Sequence, residues 1–236
     1  MSQLPKIDRP LVSIDTAIFT VHEQSLQVLL VRRPQVTTDP YPGLWALPGG
    51  FVDTARDADL ESCARRKLSE KTGVEAPYLE QLGSWGSATR DPRGWSTTHV
   101  YFALLAHANL RPGGNAIDTR WVALGSQRFR EHLAFDHAEL LSAALTRLRS
   151  KVEYTSLPLY LMGAEFTLSE LQRTYEIVLG RALEKKAFRT RILSAPILET
   201  VPRMKSGPTR PAQLFRVTSR RKVHTFARPF GSAVAP

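Results

Sequence analysis

The sequence predicts an α/β domain followed by a smaller winged helix-turn-helix domain. Strand-like apolar runs alternate with two amphipathic helical stretches over residues 1–150. A capped helix, a short turn, a second helix and a basic hairpin then follow, which is the element order of a helix-turn-helix with a wing. The charge balance changes at the same place. Residues 1–150 hold 17 Lys+Arg against 16 Asp+Glu, a balance of +1, whereas residues 151–236 hold 15 against 6, a balance of +9.

Each element has a local reason. Leu11, Val12, Ile14, Ala17, Ile18 and Phe19 form one strand-like run and Gln27–Val31 a second, joined by a polar turn at His22–Ser25. Pro34 to Gly43 is a Pro- and Thr-rich loop leading to Trp45–Phe51. Ala58 to Thr72 reads as a helix, with Leu60, Ala64 and Leu68 on its apolar side and Gly73 as its stop. Strands are expected at 78–85, 97–105 and 120–123, and a second helix at Ala138 to Lys151 with Leu140, Leu141, Ala144 and Leu148 inward. The boundary falls at about residue 152, where Pro158 interrupts. The stretch Ser156–Ala164, with Pro158 and Gly163, is expected to break as a helix. In the second domain, 153–218, Thr167 and Glu170 have capping-box spacing, the helix they open stops at Gly180, and another runs from Glu184 to Ser194. Ile197–Val201 and Gln213–Val217 read as paired strands. Residues 219–236, with Arg220-Arg221-Lys222, are expected to form a basic, poorly ordered tail.

Composition narrows the function classes. The content of hydrophobic residues, 42%, is that of a globular protein, and no apolar run approaches a membrane span. Met1-Ser2-Gln3-Leu4-Pro5-Lys6 lacks an apolar signal core, and the single cysteine, Cys63, can form no internal disulfide. A cytoplasmic location with no membrane partner is therefore expected. Cys63 is expected to pack on its helix rather than react. His99, His132 and His137 lack metal-cluster spacing, so no metal site is assigned.

The net charge of +10 is concentrated in the second domain, which points to a polyanionic partner, most commonly nucleic acid. On the helix Glu184–Ser194, Phe188, Ile192 and Leu193 are expected inward, with Lys185, Lys186, Arg189 and Thr190 outward, as a recognition helix requires. Arg203, Lys205 and Arg210 on the wing would meet backbone or minor groove. Double-stranded DNA is favoured over RNA because no aromatic stacking platform is evident.

The stretch from Gly49-Gly50-Phe51 to Arg65-Arg66-Lys67-Leu68-Ser69-Glu70-Lys71-Thr72-Gly73-Val74 resembles a Nudix box, whose pattern ends in Arg-Glu-apolar-x-Glu-Glu-x-Gly-apolar. Arg66, Leu68, Glu70, Gly73 and Val74 fix the register. Lys67 and Lys71 then stand at two of the three metal-ligand glutamate positions, and only Glu70 survives. Two extra residues separate Gly50 from Arg66, so the early glutamate position falls on Arg56 or is displaced. Carboxylates at i, i+3 and i+4 would share one helix face and gather a magnesium ion. Two ammonium groups beside one carboxylate repel that ion and attract a diphosphate instead. Asp53, Asp57, Asp59 and Glu61 in the altered loop offer a route to a partly rebuilt metal site.

With the box joined to this C-terminal module, the chain resembles the Nudix-related transcriptional regulators of NAD metabolism. Leu47–Asp53, Arg65–Leu68, Arg90-Asp91-Pro92-Arg93-Gly94, Ala134–His137 and Phe166–Gln172 carry the resemblance. It implies a Nudix α/β/α sandwich with a C-terminal winged helix-turn-helix domain. It also implies a homodimeric repressor that ADP-ribose or a related nucleotide releases from a DNA operator. The implied ligand site comprises Arg33, Arg66, Lys67 and Lys71 toward phosphate, Gly49 and Gly50 as a backbone cradle, and Trp45, Phe51 or Tyr101 toward adenine. Alternatively, Lys67 and Lys71 pair with Glu70 on a solvated helix face, and Trp45 and Phe51 are loop anchors in the core. Arg90 and Arg93 would close over the ligand, or form only an ion-paired turn, and Arg66 would equally serve to orient the loop. No cofactor is required on this reading. A second reading is a magnesium-dependent hydrolase of ADP-ribose or another nucleoside diphosphate derivative, with Glu70 as its residual catalytic residue. A third is an RNA-associated protein that binds without cutting.

Overall fold

The computed structural model describes residues 9–73, 75–106, 117–125, 133–206, 211–220 and 222–230. Strands β1 (Leu11–His22) and β2 (Ser25–Arg32) form a hairpin. Glu23 and Gln24 at its turn take φ of 46° and 60°, the left-handed geometry that suits a two-residue hairpin loop. β3 (Trp45–Ala46) pairs with β2, and β4 (Gly49–Phe51) pairs with β1. After helix α1 (Leu60–Thr72) come β5 (Tyr78–Ser87), β6 (Ser96–Leu104) and β7 (Asp118–Ala123), then helix α2 (His137–Val152). β6 runs parallel to β1, in register from Leu11↔Ser96 to Phe19↔Leu104, while every other pairing in this sheet is antiparallel.

Alternation along the central strands builds a three-layer sandwich. Ile14 packs with Cys63, Ala64 and Tyr101, and Ile18 with Leu68 and Ala103, on the α1 side. Ala17, Phe19, Val100, Phe102 and Leu104 face the other way and join Leu140, Leu141, Ala144 and Leu148 of α2. β1 is buried without a break from Ile14 to Thr20 because a helix covers each face of the sheet. α1 starts two residues later than expected: Asp59 accepts from the Ser62 amide at 2.7 Å and Ser62 Oγ returns the bond. Gly73, at φ 69°, ends it.

The C-terminal part starts with a short 3-10 turn, Leu157–Leu161, the break expected from Pro158. β8 (Phe166–Thr167), α3 (Leu168–Leu179), α4 (Lys185–Ser194), β9 (Leu198–Lys205) and β10 (Ala212–Val217) follow, with the sheet ordered β8-β10-β9. The expected capping box is present: Thr167 Oγ1 accepts from the Glu170 amide, and Glu170 accepts from the Thr167 amide.

Two expectations fail. Within the expected tail, residues 222–230 are docked rather than loose, with Phe226 and Phe230 7% and 4% exposed within the main core; residues 231–236 lie outside the described residues. The docked segment reads as basic in sequence, yet two aromatic residues spaced four apart carry it into the molecule. Leu193, expected inward, is 53% exposed.

Candidate functional site

A cavity of about 350 Å³ opens where β1, β4 and α1 meet the loops after β2 and β5. Its floor is the Gly49–Gly50 backbone. An added Cβ at Gly49 would lie 2.2 Å from Asp15 Oδ1 and 2.3 Å from the Ile14 carbonyl, so only glycine lets β4 lie this close to β1. Gly50 has φ 153° and its Cα faces Lys67, with an added Cβ 3.2 Å from Lys67 Nζ.

The helix period places Lys67, Glu70 and Lys71 on the cavity face of α1, while Cys63, Ala64 and Leu68 turn inward. Burial pushes the Cys63 thiol up to about 11, consistent with an unreactive packing residue. Glu70 does not pair with the lysines. Arg56 reaches it at 2.9 Å and Arg66 at 3.0 Å. Arg66 also donates twice to Asp57 at 2.6 Å, from Nε and Nη2. That bidentate bond holds the Asp57 carboxyl well below the usual carboxylate range. Lys71 is depressed by burial first, then by the nearby charges of Lys67 and Arg33.

These contacts oppose a divalent-metal site among the described residues. Glu70 faces two guanidinium groups, Asp57 is held by Arg66, Asp59 caps α1 and Glu61 pairs with Arg65. Among the described residues the side chain of Asp53, the remaining acid of that loop, accepts only the Ala55 amide at 3.1 Å, and two ammonium groups occupy former ligand positions. The residues present do not fit magnesium.

The arginines at the cavity are held from behind. Arg33 forks onto Asp39 at 2.9 and 2.7 Å, Arg90 onto Asp136 at 2.9 Å twice, and Arg93 onto Asp91 at 2.9 and 2.7 Å. Among the described residues neither Lys67 nor Lys71 forms such a pair. Arg93 sits 4.8 Å above the half-exposed Phe51 ring, and Arg33 4.7 Å above Phe135.

The structure favours the structural alternative for Arg66 and Trp45 and turns Tyr101 away from the cavity. Arg66 points into the β4–α1 loop rather than the cavity, because Asp57 and Glu70 take its guanidinium. Trp45 is outside the cavity lining, packed on the core with Arg120 4.0 Å over its ring. Tyr101 is buried at 4% exposure against Ile14, Cys63 and Ala64. Arg33, Gly49, Gly50, Phe51, Lys67, Glu70, Lys71, Arg90 and Arg93 all line the cavity.

Among the lining residues that the sequence reading did not assign to the site are Asp15, His137 and Phe135. Asp15 is a buried carboxylate inside an apolar strand, taking Thr98 Oγ1 at 2.8 Å and lying 3.5 Å from His137 Nε2. Burial lowers the His137 imidazole below its ordinary range against the pull of Asp15 and Asp136, and its Nδ1 accepts the Leu47 amide at 2.9 Å. Phe135 holds φ 54°, a strained left-handed conformation for a bulky residue. The signal for Asp15 was available, since a carboxylate interrupts an otherwise apolar run.

At the other end of the chain, α4 buries Phe188 and Ile192 and exposes Lys185, Lys186, Arg189 and Thr190 together. Glu184 caps the helix by accepting from the Lys186 and Ala187 amides. On the wing, Arg203 pairs with Glu165 and Lys205 with Glu170. Arg210 lies outside the described residues.

Comparison with known proteins matches both halves. The NUDIX domain family matches residues 12–143, and the NrtR DNA-binding winged helix domain matches residues 158–217. The ADPR responsive transcriptional repressor NtrR of Acinetobacter baylyi is 48% identical over 219 residues, covering 92% of this chain and 86% of its own. The crystal structure of Shewanella oneidensis NrtR complexed with a 27mer DNA aligns with a TM-score of 0.81 at 36% identity, covering 93% of this chain and 99% of that one. The NUDIX domain of the same protein, crystallised with ADP ribose, aligns with a TM-score of 0.56 at 42% identity, covering 60% of this chain and 90% of that one.

Proposed function

The chain belongs to the family of Nudix proteins that carry an NrtR DNA-binding winged helix domain, and from that premise we propose that it is a transcriptional repressor of NAD-metabolism genes which ADP-ribose or a related nucleotide releases from DNA. The observation that carries this reading is the charge reversal on α1: lysines stand at two former metal-ligand positions and face the glycine cradle. Such a face favours a bound diphosphate over a metal-assisted attack on it. A sensor gains from that exchange, since a ligand that is not cleaved reports its own concentration.

In the proposed division of labour, residues 1–152 sense the nucleotide and residues 153–218 grip the duplex. Lys67 and Lys71 take the diphosphate, and Arg33, Arg90 and Arg93 add positive potential from positions fixed by their carboxylates. Phe51 and Phe135 offer ring faces for the base. Lys185, Lys186, Arg189 and Thr190 enter the major groove. A cytoplasmic homodimer would set two such helices on a palindromic operator.

The β1–β2 hairpin offers a route of coupling. Ser13 and Asp15 of β1 line the cavity, and the turn at the far end places Gln24 against α3, where Arg173 Nε donates to it at 2.7 Å. A ligand that prefers one hairpin position would bias the placement of α3 and α4.

The test is a fluorescence-anisotropy titration against duplex DNA from upstream of the chain's own gene and of NAD-biosynthesis genes, with and without ADP-ribose. Preferential binding that ADP-ribose weakens is expected. Equal binding to every duplex, unmoved by ADP-ribose, would sink the proposal. Turnover of ADP-ribose with magnesium, abolished in Glu70→Gln, would revive the hydrolase reading.

A further inference from the structure

The segment after the wing is built as a strap. The Ser156 amide donates to the His224 carbonyl at 2.9 Å, the Phe226 amide to Tyr154 at 2.7 Å and the Phe230 amide to Glu153 at 2.7 Å. Phe230 then packs on Tyr175 of α3 and Phe188 of α4, with ring centroids 4.9 and 5.6 Å apart. From α4, Arg191 lies 4.7 Å over the Phe230 ring and donates Nη1 to the Arg228 carbonyl at 2.9 Å. The strap is therefore anchored at the junction between the domains, and its last described residue, Phe230, lies alongside α4.

Between strap and helix runs an open groove. Lys186, Thr190 and Arg191 form part of one wall, and His224, Phe226 and Arg228 part of the other. Lys186 and Thr190 also belong to the exposed face of α4 assigned to base and phosphate contacts. The carboxylate at this groove, Glu184, is engaged with the helix-start amides. Arg228 is exposed and, among the described residues, forms no ion pair. A helix lying in a major groove has a phosphate backbone on each side, and basic groups beside it meet those phosphates.

Resting on the DNA-binding reading, we propose that the C-terminal strap is part of the DNA-binding surface, with Arg228 contacting the phosphate backbone beside the groove that α4 enters. The strap thus has two roles. Its aromatic residues fix α4 in place, and its arginine extends the footprint past the helix. The ligand class is the sugar–phosphate backbone of duplex DNA, so the contact carries no base preference.

The experiment measures DNA affinity across a salt series for the full chain and for Arg228→Gln. The variant keeps the backbone carbonyl that Arg191 uses, so strap docking does not depend on the side chain. The expected result is a several-fold loss of affinity at low salt, equal on upstream and unrelated duplexes. The slope of log K against log salt should become shallower by about 0.9, one phosphate contact. An unchanged affinity, or a loss with an unchanged slope, would overturn the proposal and leave the strap a packing element only. The wild-type titration tests the repressor reading by itself, because preference between duplexes does not depend on Arg228.

Discussion

Glu70 keeps the one acid of the box, yet its neighbours decide what it does. With Arg56 at 2.9 Å and Arg66 at 3.0 Å, it neutralises cations instead of collecting one. Lys71 is left to meet a ligand. Replacing it with glutamine removes a charge-assisted hydrogen bond and is expected to weaken ADP-ribose binding about tenfold, read by titration calorimetry. Because Lys71 titrates below its ordinary range, an arriving diphosphate should pull it back up. Binding at a pH where Lys71 of the free protein is partly deprotonated is therefore expected to take up protons, visible across a pH series as a dependence of binding enthalpy on buffer ionisation. Asp57 titrates in the opposite sense to a burdened acid: its folded pKa is depressed by Arg66, so its contribution is complete above the ordinary carboxylate value and disappears as pH falls through the folded one. Asp57→Asn should lower the melting temperature near neutrality and flatten its decline below roughly pH 4. Gly49→Ala, with a Cβ at 2.2 Å from Asp15 and no room to move, is expected to cost about 1–3 kcal/mol in urea unfolding, as overpacking does.

The elements were largely legible because their ends carry local signals. Thr167 with Glu170 opens α3 and Gly180, at φ 72°, closes it, all within reach of a few residues. The packing partner of α3 was not legible. Tyr175, fully buried, donates its hydroxyl to the Thr155 carbonyl at 2.9 Å, tying the helix to the junction segment that also bridges Thr225. Tyr175→Phe should cost about 1–3 kcal/mol, since it leaves a buried carbonyl without its donor. Denaturant midpoints would show it, and no shift would mean that the carbonyl finds another partner. The box helix offers a contrast. Its register and face followed from sequence spacing, but the direction of Arg66 depended on Asp57, nine residues away in a loop of altered length.

On the scale of the whole molecule, the charge imbalance and the hairpin matter most. The C-terminal excess of +9 predicts DNA affinity that falls steeply with salt. The hairpin contact predicts something separable from affinity. Gln24→Ala removes the acceptor for Arg173 without touching either proposed ligand surface. It is expected to leave the separate affinities for ADP-ribose and for DNA within about twofold while reducing the effect of one on the other. Equal coupling in wild type and variant, measured by DNA titration at saturating nucleotide, would remove the hairpin from the route.

The sequence by itself determined the two-part architecture, the box register and the outward face of α4, because periodicity, caps and charge act within a few residues. Only the tertiary structure decided which side chains share the cavity. Asp15, Phe135 and His137 reach it from β1 and from the start of α2, more than a hundred residues apart in the chain. It likewise turned Trp45 and Tyr101 away, since an aromatic ring packs wherever the surrounding core accepts it. The fate of the last segment also lay beyond local reading. Phe226 and Phe230 gain burial only because α2, α3 and α4 converge on a shared apolar surface, and that convergence has no local signature along the chain.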